Sequence, residues 1–163
     1  MYDKILVPVD GSEPAALGLQ EAIRLAKSQG STLRLMHVVE DLAAYANPQA
    51  SLLSEQLLAT LRAHGEAILA AARELAQKHG VVADTRSVEI AGTSAGEAIV
   101  EEARRWPAQL IVIGTHGRRG VRRLVLGSDA EYVVRASPVP VILVRSATTA
   151  KQPDAARSGT PPR

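Results

Sequence analysis

Cysteine is absent from this 163-residue chain, and aromatic residues are scarce, with one Trp, three Tyr and no Phe. Without cysteine there is no disulfide framework, no thiol nucleophile and no thiolate metal site. So few aromatic rings provide little material for a platform on which single-stranded nucleic acid could stack. The fold must therefore be stabilised by packing, and a reducing compartment is the expectation.

Long hydrophobic runs and a strong charge of one sign are also missing. The N-terminal Met1-Tyr2-Asp3-Lys4 passes directly into an apolar run of about five residues, too short for a secretory signal and far too short to cross a bilayer. The 19 basic residues nearly balance the 17 acidic ones, which disfavours extensive coating of nucleic acid. We expect a cytoplasmic protein with no membrane partner and, in all but a weaker alternative, no nucleic-acid partner.

Apolar runs of strand length alternate with segments of helical period along the chain. The predicted strands are 5–9, 33–39, 82–90, 110–113 and 141–144. The predicted helices begin after Ser12, at Leu52, after the capping-box pattern Ser94-x-x-Glu97, and at Ser128. Because short links join the strands and helices, the pattern predicts an α/β fold with a doubly wound, five-stranded parallel sheet covered on both faces.

One domain over residues 1–145 is expected from the length of this pattern. Residues 146–163 are rich in Ser, Thr, Ala, Pro and Arg without apolar spacing, so we predict a disordered tail there. The stretch from Glu40 to Ser51, which contains Asn47-Pro48, is predicted to be a mobile loop. Pro140, at the start of the last strand, indicates an edge position for that strand.

Glycines and a hydroxyl group follow the fourth strand at fixed separations, Gly114-x2-Gly117-x9-Gly127-Ser128. In an open parallel sheet, ligands bind beyond the carboxyl ends of the strands where the strand order reverses, here between the first and fourth strands. Glycine admits a phosphate close to the backbone, and a helix N-terminus supplies free amides. Residues 114–129 are therefore predicted to bind phosphate. The alternative is that the glycines only shape a loop and that Ser128 with Glu131 forms another capping box.

Several segments together resemble the universal stress proteins. They are the glycine spacing just described, the opening KILVPVDGS at 4–12, the His37-Val38 pair, and SPVPV at 137–141. The resemblance covers residues 2–145 and is closest to the branch of the family that binds ATP. It implies a Rossmann-like fold of the HUP class (adenine nucleotide alpha-hydrolase-like) with strand order 3-2-1-4-5. It also implies a homodimer formed largely through the fifth strand.

The resemblance further implies ATP as ligand, carrying Mg²⁺ or Mn²⁺, and it implies the residues that bind it. Asp10 would reach a ribose hydroxyl or a metal-bound water. The implied residues are Pro8, Val9 and Asp10 beside adenine and ribose, Val38 against adenine, Ile113 and Gly114 at the border of the nucleoside, and His116, Gly117, Gly127, Ser128 and Asp129 around the phosphates.

Each of these assignments has a plainer alternative. Asp10 could form only an Asx turn, and His116 could be a loop residue without a ligand contact. Arg118, with Arg119, Arg122 and Arg123, could clamp a triphosphate or could lie in a solvated basic loop. His37 is expected to be satisfied within the sheet and Trp106 to pack at a helix end.

Asp129 departs from the family pattern, in which an apolar or hydroxylated residue is more common. Its carboxylate could repel the phosphates through like charge. Alternatively, the side chain could point outward and complement the helix dipole. This position therefore bears directly on whether the predicted site can hold an anion.

The favoured function is a stress-response regulatory protein whose homodimer changes state, or changes an unidentified protein partner, according to ATP occupancy. No catalytic residues are assigned, because no Ser-His-Asp order, paired carboxylates or P-loop lysine is visible. Two alternatives stay open. One is a weak ATPase or phosphotransfer enzyme, and the other is a dimeric interaction module with a vestigial pocket. Binding of DNA through the arginine loop is a weaker idea, which a steep loss of affinity with salt would reveal.

Overall fold

The computed structural model describes residues 1–41, 51–115 and 126–145, and of residues 51–54 only the backbone. The predicted tail and most of the predicted mobile loop lie outside these ranges. The strands are β1 Lys4–Pro8, β2 Thr32–Glu40, β3 Ala83–Ile90, β4 Leu110–Gly114 and β5 Val141–Val144. The helices are α1 Glu13–Gln29, α2 Ser51–Lys78, α3 Ala95–Arg105 and α4 Ser128–Ala136. Every predicted element is present, with its ends within about one residue of the expected ones.

All five strands run parallel, in the order β3-β2-β1-β4-β5. The predicted strand order and doubly wound topology are therefore confirmed. β5 is an edge strand, as Pro140 indicated. The chain builds outward from β1 through β2 and β3, then returns to lay β4 on the other side of β1. The strand order reverses between β1 and β4, which is where such folds form a crevice.

Two apolar layers cover the sheet because successive strand residues point to opposite faces. Ile5 and Val7 of β1 belong to the cluster that packs α1 and α2 on one face. Leu6, between them, belongs to the cluster that packs α3 and α4 on the other face. All three side chains are fully buried, which explains why β1 reads as a continuous apolar run.

The helix ends follow the local signals, with one exception. Ser12 caps α1 by accepting a hydrogen bond from the Ala15 amide at 3.3 Å, and Ser94 with Glu97 forms the expected capping box on α3. The alternative capping box of Ser128 and Glu131 is wrong. Gly127 is the N-cap of α4, and Ser128 is its first residue. Among the described residues, no side chain caps the start of α4.

A cluster of charged side chains joins α3 to β2 and β3, near the amino ends of these two strands. Arg34 donates to both carboxylate oxygens of Asp84, at 2.9 and 2.7 Å, and to Glu102 at 2.9 Å. Glu102 is only 3% exposed. Trp106 follows α3 as its C-cap residue, and the guanidinium of Arg34 lies 4.6 Å from the centre of its ring. The expected packing role of Trp106 is confirmed, with a cation–π contact in addition.

Candidate functional site

The carboxyl ends of β1 and β4 lie side by side at the reversal of strand order. β1 pairs with β4 through Ile5 and Leu6, and each strand ends a few residues later at the same edge of the sheet. Polar and glycine residues follow both strands, Asp10-Gly11-Ser12 after β1 and Gly114-Thr115 at the end of β4. This edge is therefore the place where the sheet can present backbone and polar groups to one ligand.

A backbone hydrogen bond ties the start of α4 to the end of β4. Gly127 donates its N–H to the carbonyl of Thr115 at 2.9 Å, and Thr115 donates its own N–H to Val144 of β5 at 2.8 Å. The first amides of a helix have no acceptor within the helix, and they carry the positive end of its dipole. The start of α4 is therefore held at the end of β4, the strand that pairs with β1.

The structure describes the two ends of the predicted phosphate-binding element, residues 114–129, and these two ends lie together. Gly114 stands at the end of β4, and Gly127, Ser128 and Asp129 stand at the start of α4. Ser128 is exposed. His116, Gly117 and the four arginines of the intervening loop, Arg118 among them, lie outside the described residues.

Asp10 forms the turn that was expected as its alternative role. Its Oδ1 accepts from the backbone N–H of Ser12 at 3.0 Å and from the Ser12 hydroxyl at 2.6 Å. Gly11, between them, has a φ of +80°, a conformation that favours glycine. A carboxylate offers about four acceptor positions, so an Asx turn and a contact to a ligand are compatible. The turn fixes where the Asp10 carboxylate stands relative to the end of β1.

The backbone N–H and the carbonyl of Val9 both bond to residues of β2. Its N–H donates to the carbonyl of Met36 at 2.8 Å, and its carbonyl lies 2.7 Å from Nδ1 of His37. The side chains of Val9 and His37 are each 5% exposed. His37 is therefore satisfied inside the sheet, as expected. Val9 sits at the predicted edge, but its side chain belongs to the core under α1 and α2.

Pro8, Val38 and Ile113 share the face of the sheet that α3 and α4 cover. Val38 and Ile113 belong to or pack against that apolar cluster, and Pro8 follows Leu6 on the same face of β1. Pro8 and Val38 are partly exposed, whereas Ile113 is 7% exposed. These side chains supply an apolar surface suited to a flat ring. Val9 and Gly114 alternate onto the opposite face, so the structure brings together three of these five predicted nucleoside contacts on one face.

Gly114 is a glycine for a reason other than the expected one. A Cβ atom at this position would lie 2.6 Å from both the carbonyl carbon and the carbonyl oxygen of Pro14, in the first turn of α1. Its missing side chain therefore lets α1 pack on β4. A ligand's approach to the backbone is not what excludes a side chain here.

Asp129 takes neither of the two orientations that were considered. Its Oδ1 accepts a hydrogen bond from the backbone N–H of Gly96, at the start of α3, at 3.0 Å. The carboxylate therefore serves the neighbouring helix, and it neither stands alone beside the crevice nor projects into solvent without a protein partner. The carboxylate thus has a protein partner, and it keeps the negative charge that could act on a phosphate.

Asp10 is the acidic side chain directly after β1 at this edge. Within residues 1–41, 51–115 and 126–145, no group of three or more His, Asp or Glu side chains could hold a metal ion. Mg²⁺ bound to a triphosphate needs only one or two carboxylates and keeps several waters. Asp10, the acidic residue directly after β1, fits that limited role.

An ion pair joins α2 to β3 near the carboxyl end of that strand. Arg62 donates to both oxygens of Glu89 at 2.7 Å. These hydrogen bonds lower the pKa of the Glu89 carboxyl below its usual value and outweigh the opposing effect of desolvation. The pair fastens α2 to the strand at the far side of the candidate site.

The sequence analysis did not identify three glycines within helices that have packing roles. Gly18 lies against the end of β4, Gly65 lies over the ring of His37, and Gly96 lies against α4. The available signal was their position inside helical patterns, where glycine costs stability and so indicates close packing. Which partner each one contacts depends on tertiary structure.

Comparison with known proteins agrees with this fold. The sequence model of the universal stress protein family matches residues 1–145. A universal stress protein of Methanocaldococcus jannaschii is 34% identical over 145 residues, covering 89% of this chain and 83% of the relative. The structure of a universal stress protein from Lactobacillus plantarum is similar with a TM-score of 0.79 at 29% identity, covering 88% and 98% of the two chains.

A more distant structure has the same fold with a ligand. It is a universal stress protein from Archaeoglobus fulgidus in complex with dAMP, with a TM-score of 0.62 at 23% identity, covering 88% of this chain and 98% of the other. Three findings point to the same family. They are the match of the family model over residues 1–145, the identity to the archaeal relative and the observed strand order. This chain therefore belongs to the universal stress protein family.

Proposed function

We propose that this protein binds ATP, together with Mg²⁺ or Mn²⁺, at the carboxyl ends of β1 and β4, and that occupancy of this site regulates it in a stress response. The observation that carries the proposal is the Gly127–Thr115 hydrogen bond, which sets the N-terminus of α4 beside the reversal of strand order. Phosphates are the groups that such a helix start favours, because its amides and its dipole both attract negative charge.

The nucleoside half of the proposal is supported by the side chains at the same edge. Pro8, Val38 and Ile113 provide apolar surface for adenine, and the Asp10 carboxylate is fixed by its turn at the end of β1. The complex of the Archaeoglobus fulgidus protein with dAMP supports an adenine nucleotide as the class of ligand. When bound, a divalent metal would neutralise phosphate charge, with Asp10 contributing at most a contact through water.

We assign regulation in preference to catalysis. The sequence offers no Ser-His-Asp order, paired carboxylates or P-loop lysine, and Asp10 is engaged in the turn with Ser12. Hydrolysis is therefore expected to be slow. A vestigial pocket is the second alternative, and the bond from Gly96 gives Asp129 a role other than blocking the site.

The proposed assembly is a cytoplasmic homodimer of the 1–145 domain formed through β5. Support comes from the position of β5 at the sheet edge and from the exposed apolar side chains Leu143 on β5 and Val134 on α4, which are 38% and 46% exposed. Light scattering on the purified chain, with and without ATP, tests both the dimer and its response to nucleotide. An unidentified protein partner would then recognise one of the two states.

Calorimetric titration of the full chain with ATP and Mg²⁺, followed by an assay for released phosphate, tests the binding site. Asp10→Asn keeps an oxygen for the Ser12 turn but removes the charge, so ATP affinity is expected to fall about tenfold, the value of one charge-assisted hydrogen bond. Asp3→Asn, an exposed carboxylate before β1, is the matched control and should bind as the wild type does. Absence of binding at millimolar ATP, or rapid turnover, would contradict the proposal.

A further inference from the structure

Asp129 and Gly96 join the first turns of two different helices. Asp129 is the second residue of α4 and Gly96 the second residue of α3, and the Asp129 Oδ1 accepts the Gly96 N–H at 3.0 Å. The capping box of α3 satisfies only the amides of Ser94 and Glu97. A side chain from α4 thus adds a further hydrogen bond to the cap of α3.

The two helix starts are also in direct contact. A Cβ atom on Gly96 would lie 2.9 Å from Cβ of Tyr132 and 3.0 Å from the carbonyl oxygen of Asp129. Any larger residue at 96 would push the helices apart. The absence of a side chain there brings the Gly96 amide within reach of the carboxylate.

The first turn of α4 is therefore held from two sides. Gly127 ties it to β4 through the carbonyl of Thr115, and Asp129 ties it to α3 through Gly96. A carboxylate close to two helix N-termini is also favoured by both dipoles. Loss of the second tie would free the amides of this turn to move relative to the crevice.

We propose that Asp129 is a positioning residue for the phosphate end of the nucleotide site. By bonding Gly96, it fixes the direction in which the first amides of α4 point, although its own charge has the same sign as a phosphate. This inference rests on the proposed ATP binding. It reverses the expectation from charge alone, under which removal of the carboxylate would tighten ATP binding.

Two neutral variants separate the hydrogen bond from the charge. Asp129→Asn keeps an oxygen that can accept from Gly96, whereas Asp129→Ala keeps neither oxygen nor charge. Calorimetry of each full-length variant with ATP and Mg²⁺, and separately with adenosine, gives the affinity with and without phosphates. We expect Asp129→Ala to bind ATP about fivefold more weakly than Asp129→Asn, the effect of one hydrogen bond, with equal affinities for adenosine.

Hydrogen exchange of the Gly96 amide supplies a second readout. It should be slow in the wild type and in Asp129→Asn and fast in Asp129→Ala. If Asp129→Ala fails to fold, Asp129→Ser, whose hydroxyl is too short to span the same distance, replaces it in the comparison.

The possible outcomes are distinct. Equal ATP affinity of the alanine and asparagine variants would overturn the positioning role, as would a parallel loss of adenosine affinity, which would indicate a purely structural contribution. A wild-type protein that binds neither ATP nor adenosine would refute the proposed function itself, and the positioning role with it. If the wild type binds ATP and the alanine and asparagine variants have equal ATP affinity, only the positioning role is refuted.

Discussion

Gly114 and Pro14 are so close that a Cβ atom on the glycine would lie 2.6 Å from the carbonyl carbon of the proline. The last residue of β4 therefore packs directly on the first turn of α1. Gly18, one turn further along α1, is also close, since its own Cβ would lie 3.3 Å from the Gly114 nitrogen. This contact sets the spacing between the segment after β1 and the segment after β4, which together border the candidate site.

Replacement of Gly114 by alanine is expected to lower the free energy of unfolding by roughly 1–3 kcal/mol, because backbone atoms cannot move aside as a flexible side chain can. It should also weaken ATP binding. Urea unfolding and calorimetry measure the two effects. Gly30→Ala is the control, since a Cβ there meets no atom within 4 Å although its φ is +74°. It should lose stability but leave ATP binding intact. A Gly114→Ala protein as stable as the wild type would contradict this account.

Gly65 and His37 should show strong coupling in a double-mutant cycle. A Cβ on Gly65 would lie 2.5 Å from Cδ2 of His37, a ring fixed by its hydrogen bond to Val9. Helix propensity alone favours alanine over glycine by about 1 kcal/mol. We expect Gly65→Ala to destabilise the wild type but to stabilise the His37→Ala variant, as measured by urea unfolding. The same change in both backgrounds would show that the ring does not limit this position.

Removal of Arg34 should lower the free energy of unfolding, because the buried Glu102 carboxylate loses its hydrogen-bonded cation. Arg34→Met leaves Glu102 with Arg86, whose Nε lies 3.9 Å from Oε2 of Glu102. A loss of about 3 kcal/mol in the free energy of unfolding is expected for a buried pair broken on one side. The double variant Arg34→Met, Glu102→Met should recover most of this loss.

The matched control for Arg34 is Arg104→Met on the surface of α3. Arg104 lies 3.9 Å from Glu101, and both side chains are more than half exposed. Exposed pairs contribute little, so a change below about 0.5 kcal/mol is expected. If the Arg34 and Arg104 variants lost similar stability, burial of Glu102 would not be the cause.

The Arg62–Glu89 pair should make stability depend on pH in the acidic range. Because Arg62 lowers the pKa of Glu89 in the folded protein, the pair stabilises the fold above the unfolded pKa of about 4.3. That contribution is lost as the pH falls through the folded pKa. The difference in stability between wild type and Arg62→Gln should therefore be largest near neutral pH and shrink in acid.

Carbon-13 titration of the Glu89 carboxyl provides the direct measurement. Its midpoint should move upward in Arg62→Gln. The Lys78→Gln variant, which removes the exposed partner of Glu74, is the control and should leave the Glu89 midpoint unchanged. An identical Glu89 midpoint in wild type and Arg62→Gln would refute the assignment.

Local signals were sufficient for the strands, the helices and most of their ends. Ser12, Gly30 and the Ser94-Glu97 box act within one turn of chain, so their effect can be predicted without tertiary structure. Ser128 was misread as a possible cap because a hydroxyl near a helix start is a common signal. The carbonyl of Thr115, which is distant in sequence, instead fixes Gly127 as the N-cap residue of α4.

The sequence by itself determined a five-stranded α/β fold, the edge of the sheet at which the strand order reverses, and, through its motifs, the family. Those properties follow from hydrophobic period, capping residues and crossover handedness, which act locally or apply to every such sheet. Only the tertiary structure decided that Asp129 bonds Gly96, that Gly114 accommodates α1, and that Glu102 is buried beside Arg34. These are contacts between residues distant in the chain, and their direction depends on how whole helices pack, which no local pattern encodes.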